Sequence, residues 1–264
     1  MQMLFHDDFA EGLRHTGPRA PWTVRPGETS PSGDGVPLAS AGGLVVEPPG
    51  ADPDTGLPAF AGTSAAGPVD HLRWAAFSAP WPVPPDGVLT VAARMSARQF
   101  NTHRHPFGPA ARAADVERRS GYGALVAAER GAGLVMDFAL TETRAWALYV
   151  RIPAPDAGGG GFSYEIDVAA RAPDEFAEYA IAVDGAEGRA RWLIDGKEVF
   201  SVSPLGLPLG QDVPAHWRVD GGFAPVRAKA LAAGLGLLSE EFYGQGVRLA
   251  VQSLSVYGED GARA

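Results

Sequence analysis

Cysteine is absent from the 264 residues, so neither a disulfide framework nor a thiolate-held zinc or iron-sulfur centre can form. Any metal would rest on His, Asp and Glu alone, and the sequence calls for no metal and no other cofactor. A basic excess is missing too. Lys and Arg number 22 against 31 Asp and Glu, a formal charge of -9, which argues against a phosphate-tracking groove and therefore against nucleic acid as a partner. Long apolar runs are also lacking. The start, MQMLFHDDFAEG, has neither a basic nor an apolar signal region, and the longest apolar tract, AKALAAGLGLL at 228 to 238, is too short to span a bilayer. A cytoplasmic protein without membrane contact is expected. No Gly-rich phosphate loop opens a helix, and neither GxSxG nor HExxH occurs, which leaves nucleotide-dependent, serine-hydrolase and zincin chemistry unsupported.

What is present points to strands. Hydrophobic residues make up 45% of the chain, enough for a substantial core, while 34 Gly and 23 Pro punctuate it into short segments. Ten stretches have strand character: 43 to 48, 71 to 78, 88 to 96, 133 to 140, 144 to 152, 162 to 170, 178 to 184, 189 to 196, 197 to 203 and 247 to 258. With so little helix between them, the expectation is an all-β single domain over 1 to 264, a sandwich of two packed antiparallel sheets with at most one or two short helices. The turn signals Asp184-Gly185-Ala186-Glu187-Gly188 and Asp195-Gly196 predict a three-stranded meander over 178 to 203. Residues 25 to 42 and 48 to 68 read as surface loops, 106 to 122 as a loop with one helical turn, 158 to 161 as a flexible connection, and 223 to 244 as holding the longest helix.

Three groups of residues could carry chemistry. In YEIDVAA (164 to 170), alternation puts Glu165, Asp167 and position 169 on one face. A bulge would bring position 170 there instead; both positions are Ala. In NTHRHPFG (101 to 108), His103 and His105 flank Arg104, so on an extended segment both rings share a face, which suits an acid/base pair, a two-histidine metal site or plain loop packing. In LVMDFALTETRAWALYVRIP, Asp137 interrupts an apolar strand. Tyr149 and Arg151 share a face, either to hold a ligand or, for Arg151, to neutralise Asp137. Trp146 should point opposite to Tyr149, and of Arg191 and Trp192 only one can face a cleft.

The order of DDF (7 to 9), EIDV (165 to 168), YAIAVD with RARWLIDGKEVF, and VRLAVQSLSVYG resembles the concanavalin A-like lectin and glucanase superfamily, and within it glycoside hydrolase family 16. NTHRHPFG and LYVRIP are also similar to tracts of a family of uncharacterised bacterial proteins. The first resemblance implies a jelly-roll sandwich with a concave face, Glu165 at the nucleophile position, Asp167 as its assistant, and no carboxylate at the acid/base position. Without a proton donor, a general-acid contribution of about 100- to 10,000-fold is lost. The leading expectation is therefore a cofactor-free cyclase or isomerase that encloses a small molecule in the concave cleft. Glu165, His105, His103 and Asp137 would serve as catalytic groups, and Arg151, Tyr149, Asp167, Arg191 and Trp192 would contact the ligand. The alternatives are a carbohydrate-binding or hydrolase-like protein lacking the usual acid, and a non-catalytic interaction domain. A homodimer joined at a sheet edge stays open.

Overall fold

The computed structural model describes residues 1–25, 34–61, 72–153, 159–240 and 242–261. Two eight-stranded antiparallel sheets lie face to face. The first runs β15 (Lys197–Val202), β14 (Arg189–Ile194), β13 (Ala177–Asp184), β8 (Val88–Phe100), β18 (Gly246–Glu259), β4 (Gly43–Glu47), β3 (Val36–Ser40), with β1 (Gln2–Asp7) also paired to β18. The second runs β16 (Trp217–Val219), β12 (Gly161–Ala170), β11 (Arg144–Arg151), β10 (Leu134–Leu140), β9 (Tyr122–Glu129), β17 (Ala230–Leu238), β7 (Leu72–Pro82), β2 (Trp22–Arg25). β5 (Gly50–Ala51) and β6 (Pro58–Ala59) form a small ribbon, and α1 (Ala113–Ser120) is the α-helix of the described residues.

Alternation explains the layering. Leu89, Val91, Ala93 and Met95 of β8 point inward, as do Leu134, Met136 and Phe138 of β10. Trp22, Trp74, Trp192, Tyr149 and Tyr164 fill the space between the sheets with less than about a fiftieth of their surface exposed. Burying each such ring contributes about 1.5–3 kcal/mol, so the inter-sheet layer accounts for most of the stability. The expected meander is present as β13, β14 and β15. Its second turn is built by Asp195 and Gly196, both at positive φ (48° and 76°), the backbone a tight hairpin requires. Asp7 explains the opening DDF: its carboxylate accepts hydrogen bonds from Trp22 Nε1 (2.8 Å) and Phe9 N (2.9 Å), pinning the first strand to the core.

Several expectations need correction. Residues 230 to 238 are strand β17, not helix, because Leu231, Ala233, Leu235 and Leu237 alternate into the core. The supposed loop 25 to 42 contains β3, and 48 to 68 contains the β5/β6 ribbon. Residues 26–33 and 62–68 of those loops, His71 of the stretch 71 to 78, Gly158 of the glycine tract and Glu241 of 223 to 244 lie outside the described residues. Of the rest of that tract, Gly159 bridges Gly222 and Gly161 opens β12. The helical turn expected in 106 to 122 is α1, which ends at Gly121 (φ 118°); a Cβ there would sit 2.6 Å from the Leu238 carbonyl oxygen.

Candidate functional site

The outer face of the second sheet is not the polar surface that a half-exposed sheet normally carries. Its residues fall into three rows that cross the sheet in register. One row is Ala75, Gly236, Ala124, Ala139, Trp146, Asp167; the middle one is Phe77, Gly234, Val126, Asp137, Leu148, Glu165; the third is Ala232, Ala128, Val135, Val150, Ser163, Trp217. Ala124, Val126, Ala139, Trp146 and Leu148 of these rows form, with Tyr122, a second apolar cluster separate from the inter-sheet core, against which Phe77, Val135, Val150 and Leu238 pack. Phe77, Val126, Leu148, Val135, Val150 and Trp217 line, with Asp137, a cavity of about 590 Å3 that Glu165, His216 and Glu240 border. Gly236 helps to hollow it, having no side chain to fill the floor, while Gly234 leaves room for the Phe77 ring, which a Cβ there would meet at 2.6 Å.

Two carboxyls share the middle row. Asp137 is 7% exposed, and its Oδ1 has no hydrogen-bond partner. Burial pushes its pKa up to about 8. Glu165 is also raised above the usual carboxylate range by burial, with Arg118 and His216 opposing the shift. Arg118 Nη1, from the last turn of α1, lies 2.7 Å from Glu165 Oε2 and 2.8 Å from Glu240 Oε1; His216 Nδ1 lies 3.7 Å from Glu165 Oε2. Tyr122 is buried beside them and its hydroxyl is raised well above its ordinary pKa, first by burial and then by Asp137, Glu165 and Glu240. Glu165, His216 and Glu240 each offer a ligand atom within 4.8 Å of the others, but the Arg118 guanidinium already sits between the two carboxylates. A metal ion would have to displace it.

β12 fixes which position corresponds to the third acid implied by the resemblance to glycoside hydrolase family 16. Its register with β11 shifts between Ala145 and Trp146, so Val168 and Ala169 both pack toward the core while Ala170 is carried to the exposed side. The acid position is therefore Ala170, and it is empty of any carboxyl. Asp167 is exposed, paired with Arg144 at 3.5 Å, and does not line the cavity.

The remaining expected site residues do not reach the cavity. His103 and His105 are not on an extended segment. Thr102–Arg104 is a 3-10 turn that ends at His105, whose ring stacks on Phe107 and accepts a hydrogen bond from Phe107 N (3.2 Å). Arg104 between them is tied to Asp52 (2.6 Å) and Asp54 (2.7 Å), which fixes the turn. Tyr149 and Arg151 do share a face, but it is the inner one: Tyr149 Oη donates to the Leu207 carbonyl (3.1 Å) and Arg151 Nη1 to the Gly206 carbonyl (2.6 Å), so Arg151 does not neutralise Asp137. Trp192 lies in the core, its Nε1 donating to the Asp137 main-chain carbonyl (2.8 Å), and Arg191 points to the outer face of the other sheet. Trp146 does point opposite to Tyr149, into the cavity-side cluster. Arg118, Tyr122, His216, Trp217 and Glu240 were not anticipated. They come from a helix, the start of a strand and two loops, so no local spacing announces them.

A family described as "Family of unknown function (DUF6081)" matches residues 6–260. No curated protein matches the chain. Among solved structures, LamAcat from Zobellia galactanivorans is similar with a TM-score of 0.51 at 9% identity, covering 97% of both chains. A Crh5 transglycosylase in complex with NAG gives 0.49 at 12%, covering 98% of this chain and 84% of its own. Alginate lyase A1-II', a member of polysaccharide lyase family-7, gives 0.47 at 12%, covering 85% and 83%. The sandwich is thus concanavalin A-like, as expected. The expectation of a cofactor-free cyclase or isomerase is corrected: His103 and His105, which motivated proton transfer, lie outside the cavity in a turn fixed by Arg104.

Proposed function

The chain belongs to DUF6081, and with that membership as the premise we propose that the hollow outer face of its second sheet binds a carbohydrate. The observation that supports this reading is the meeting, in one cavity of about 590 Å3, of an apolar floor, aromatic rings at its margins and carboxyl groups in its middle row. A sugar ring has the matching two-sided character, C–H groups on its faces and hydroxyls around its edge. Its faces pack on Phe77, Tyr122 and the half-open Trp217, while Glu165, His216 and Glu240 meet its hydroxyls. The volume lies within the range of about 300–1,000 Å3 typical of ligand pockets, which suits a short oligosaccharide segment.

The carboxylates of β12 alone do not make it a retaining hydrolase, because that route needs a second carboxyl about 5 Å from the first and Ala170 stands there. Recognition is the reading that the strand itself supports. The test is a glycan array carrying β-glucan, galactan, xyloglucan, N-acetylglucosamine and alginate oligosaccharides. Binding to at least one class is expected; silence across the array refutes the reading.

A further inference from the structure

We propose that Asp137 and Glu165 act together as the acid and the base of an inverting glycoside hydrolysis, Asp137 supplying from β10 the proton that position 170 of β12 no longer can. The inference rests on the carbohydrate reading above and adds a reaction to it. Asp137, Leu148 and Glu165 stand in direct cross-strand register on β10, β11 and β12, and all three line the cavity. Two strand steps of about 4.8 Å put the Cα atoms of the two acids about 10 Å apart, so side chains that rise in parallel from the sheet keep their carboxyls well beyond the spacing of a retaining pair. Inverting enzymes hold their carboxyls about 6.5–9.5 Å apart so that a water fits between one of them and the sugar, whereas retaining ones hold them at about 5–5.5 Å. Leu148 separates the two acids here and gives the sugar an apolar floor between them.

The surroundings assign the roles. Asp137 is buried, its Oδ1 is unpartnered, and it lines an apolar cavity, an environment in which a carboxyl keeps its proton because an unpaired charge is costly there. The hydrogen bond from Trp192 Nε1 to its main-chain carbonyl fixes the strand beneath the cavity. Glu165 is raised by burial too, but it faces a cation: Arg118, at 2.7 Å, opposes that rise and stabilises the carboxylate that a base must be, whereas among the described residues no cation faces the unpartnered Oδ1 of Asp137. Tyr122, His216 and Glu240 are the other titratable groups lining the cavity. Glu165 takes a proton from water as the water oxygen bonds to the anomeric carbon. The bond to the glycosidic oxygen breaks, its electron pair stays on that oxygen, and the oxygen takes the proton of Asp137. Glu165 then releases its proton to solvent and Asp137 regains one, so the cycle needs no cofactor and no redox partner. The two acids differ in having a cation at one, Arg118 beside Glu165, and no partner for Oδ1 at the other, and that asymmetry is what divides the roles.

The experiment takes a soluble hexasaccharide of each class that the array identifies, incubates it with the wild-type protein, and follows released reducing ends together with the anomeric form of the first product by proton NMR. Hydrolysis giving the inverted anomer is expected, with Asp137→Asn slowing it at least about 100-fold while binding changes less than about threefold. Binding without hydrolysis, a retained anomer, or wild-type turnover by Asp137→Asn overturns the inference and leaves the recognition reading standing. A silent array removes both. Should Asp137→Asn fail to fold, the product anomer of the wild type still decides.

Discussion

The two sheets present opposite kinds of outer face. On the first, Arg94 reaches Gln252, Arg98 pairs with Asp174, Arg189 with Glu198 and Arg248 with Glu47, all in partial contact with water. On the second, the corresponding outward positions are Ala, Val, Leu, Phe, Tyr and Trp, and the one acid at the centre, Asp137, has an oxygen with nothing to bond. A sheet face left to solvent acquires charged side chains, as the first has; a face kept apolar and hollow, with polar groups gathered at one end, is arranged for an occupant.

The contrast can be broken most forcefully at Arg118. It holds Glu165 and Glu240 together from a position only 10% exposed, so Arg118→Ala leaves two half-buried carboxylates facing each other and should cost about 3 kcal/mol or more in chemical denaturation. A loss below about 1 kcal/mol would mean that the acids are as solvated as those of the first sheet. Next comes the pH dependence of Asp137. Its folded pKa of about 8 lies above the unfolded value of about 3.9, so the native state holds a proton that the unfolded chain has released. This group's contribution is complete below about pH 4 and is lost as pH rises toward about 8, by at most about 1.4 kcal/mol per unit. Asp137→Asn removes that slope; parallel stability curves for wild type and variant between those limits would contradict the assignment. The smallest effect belongs to the ordinary face: Arg248→Ala, whose partner Glu47 lies in contact with water, should change stability by no more than about 1 kcal/mol.

The same apolar character that marks the site concealed part of it in the sequence. The meander was legible because Asp195-Gly196 and the tract around Asp184 carry turn chemistry, and β8, β11 and β13 were legible from their strand-forming residues. β17 and β9 were not, because both of their faces are apolar: LAAGLGLL shows no polar partner for its leucines when the outward positions are Ala and Gly. Asp137 stood out for the converse reason, as a single acid in an apolar strand, and Glu165 through its motif. Arg118, His216 and Glu240 are separated by 98 and 24 residues respectively along the chain, and only the placing of α1, of the segment leading into β16 and of the loop after β17 brings them to Glu165. His103 and His105 misled because the pairing logic assumes an extended backbone, and Arg104, held by two aspartates, enforces a turn.

The most direct measurement runs the glycan array on the wild type beside Gly236→Phe. The new side chain would project from the floor between Ala75 and Ala124, where a Cβ meets the end of Leu238 at 3.0 Å, Ala124 at 3.5 Å and the Trp74 carbonyl oxygen at 3.9 Å, and its ring would fill the cavity. Binding by the wild type, lost in a variant with an unchanged melting temperature, is the predicted result. Undiminished binding by Gly236→Phe would place the carbohydrate elsewhere and contradict the account.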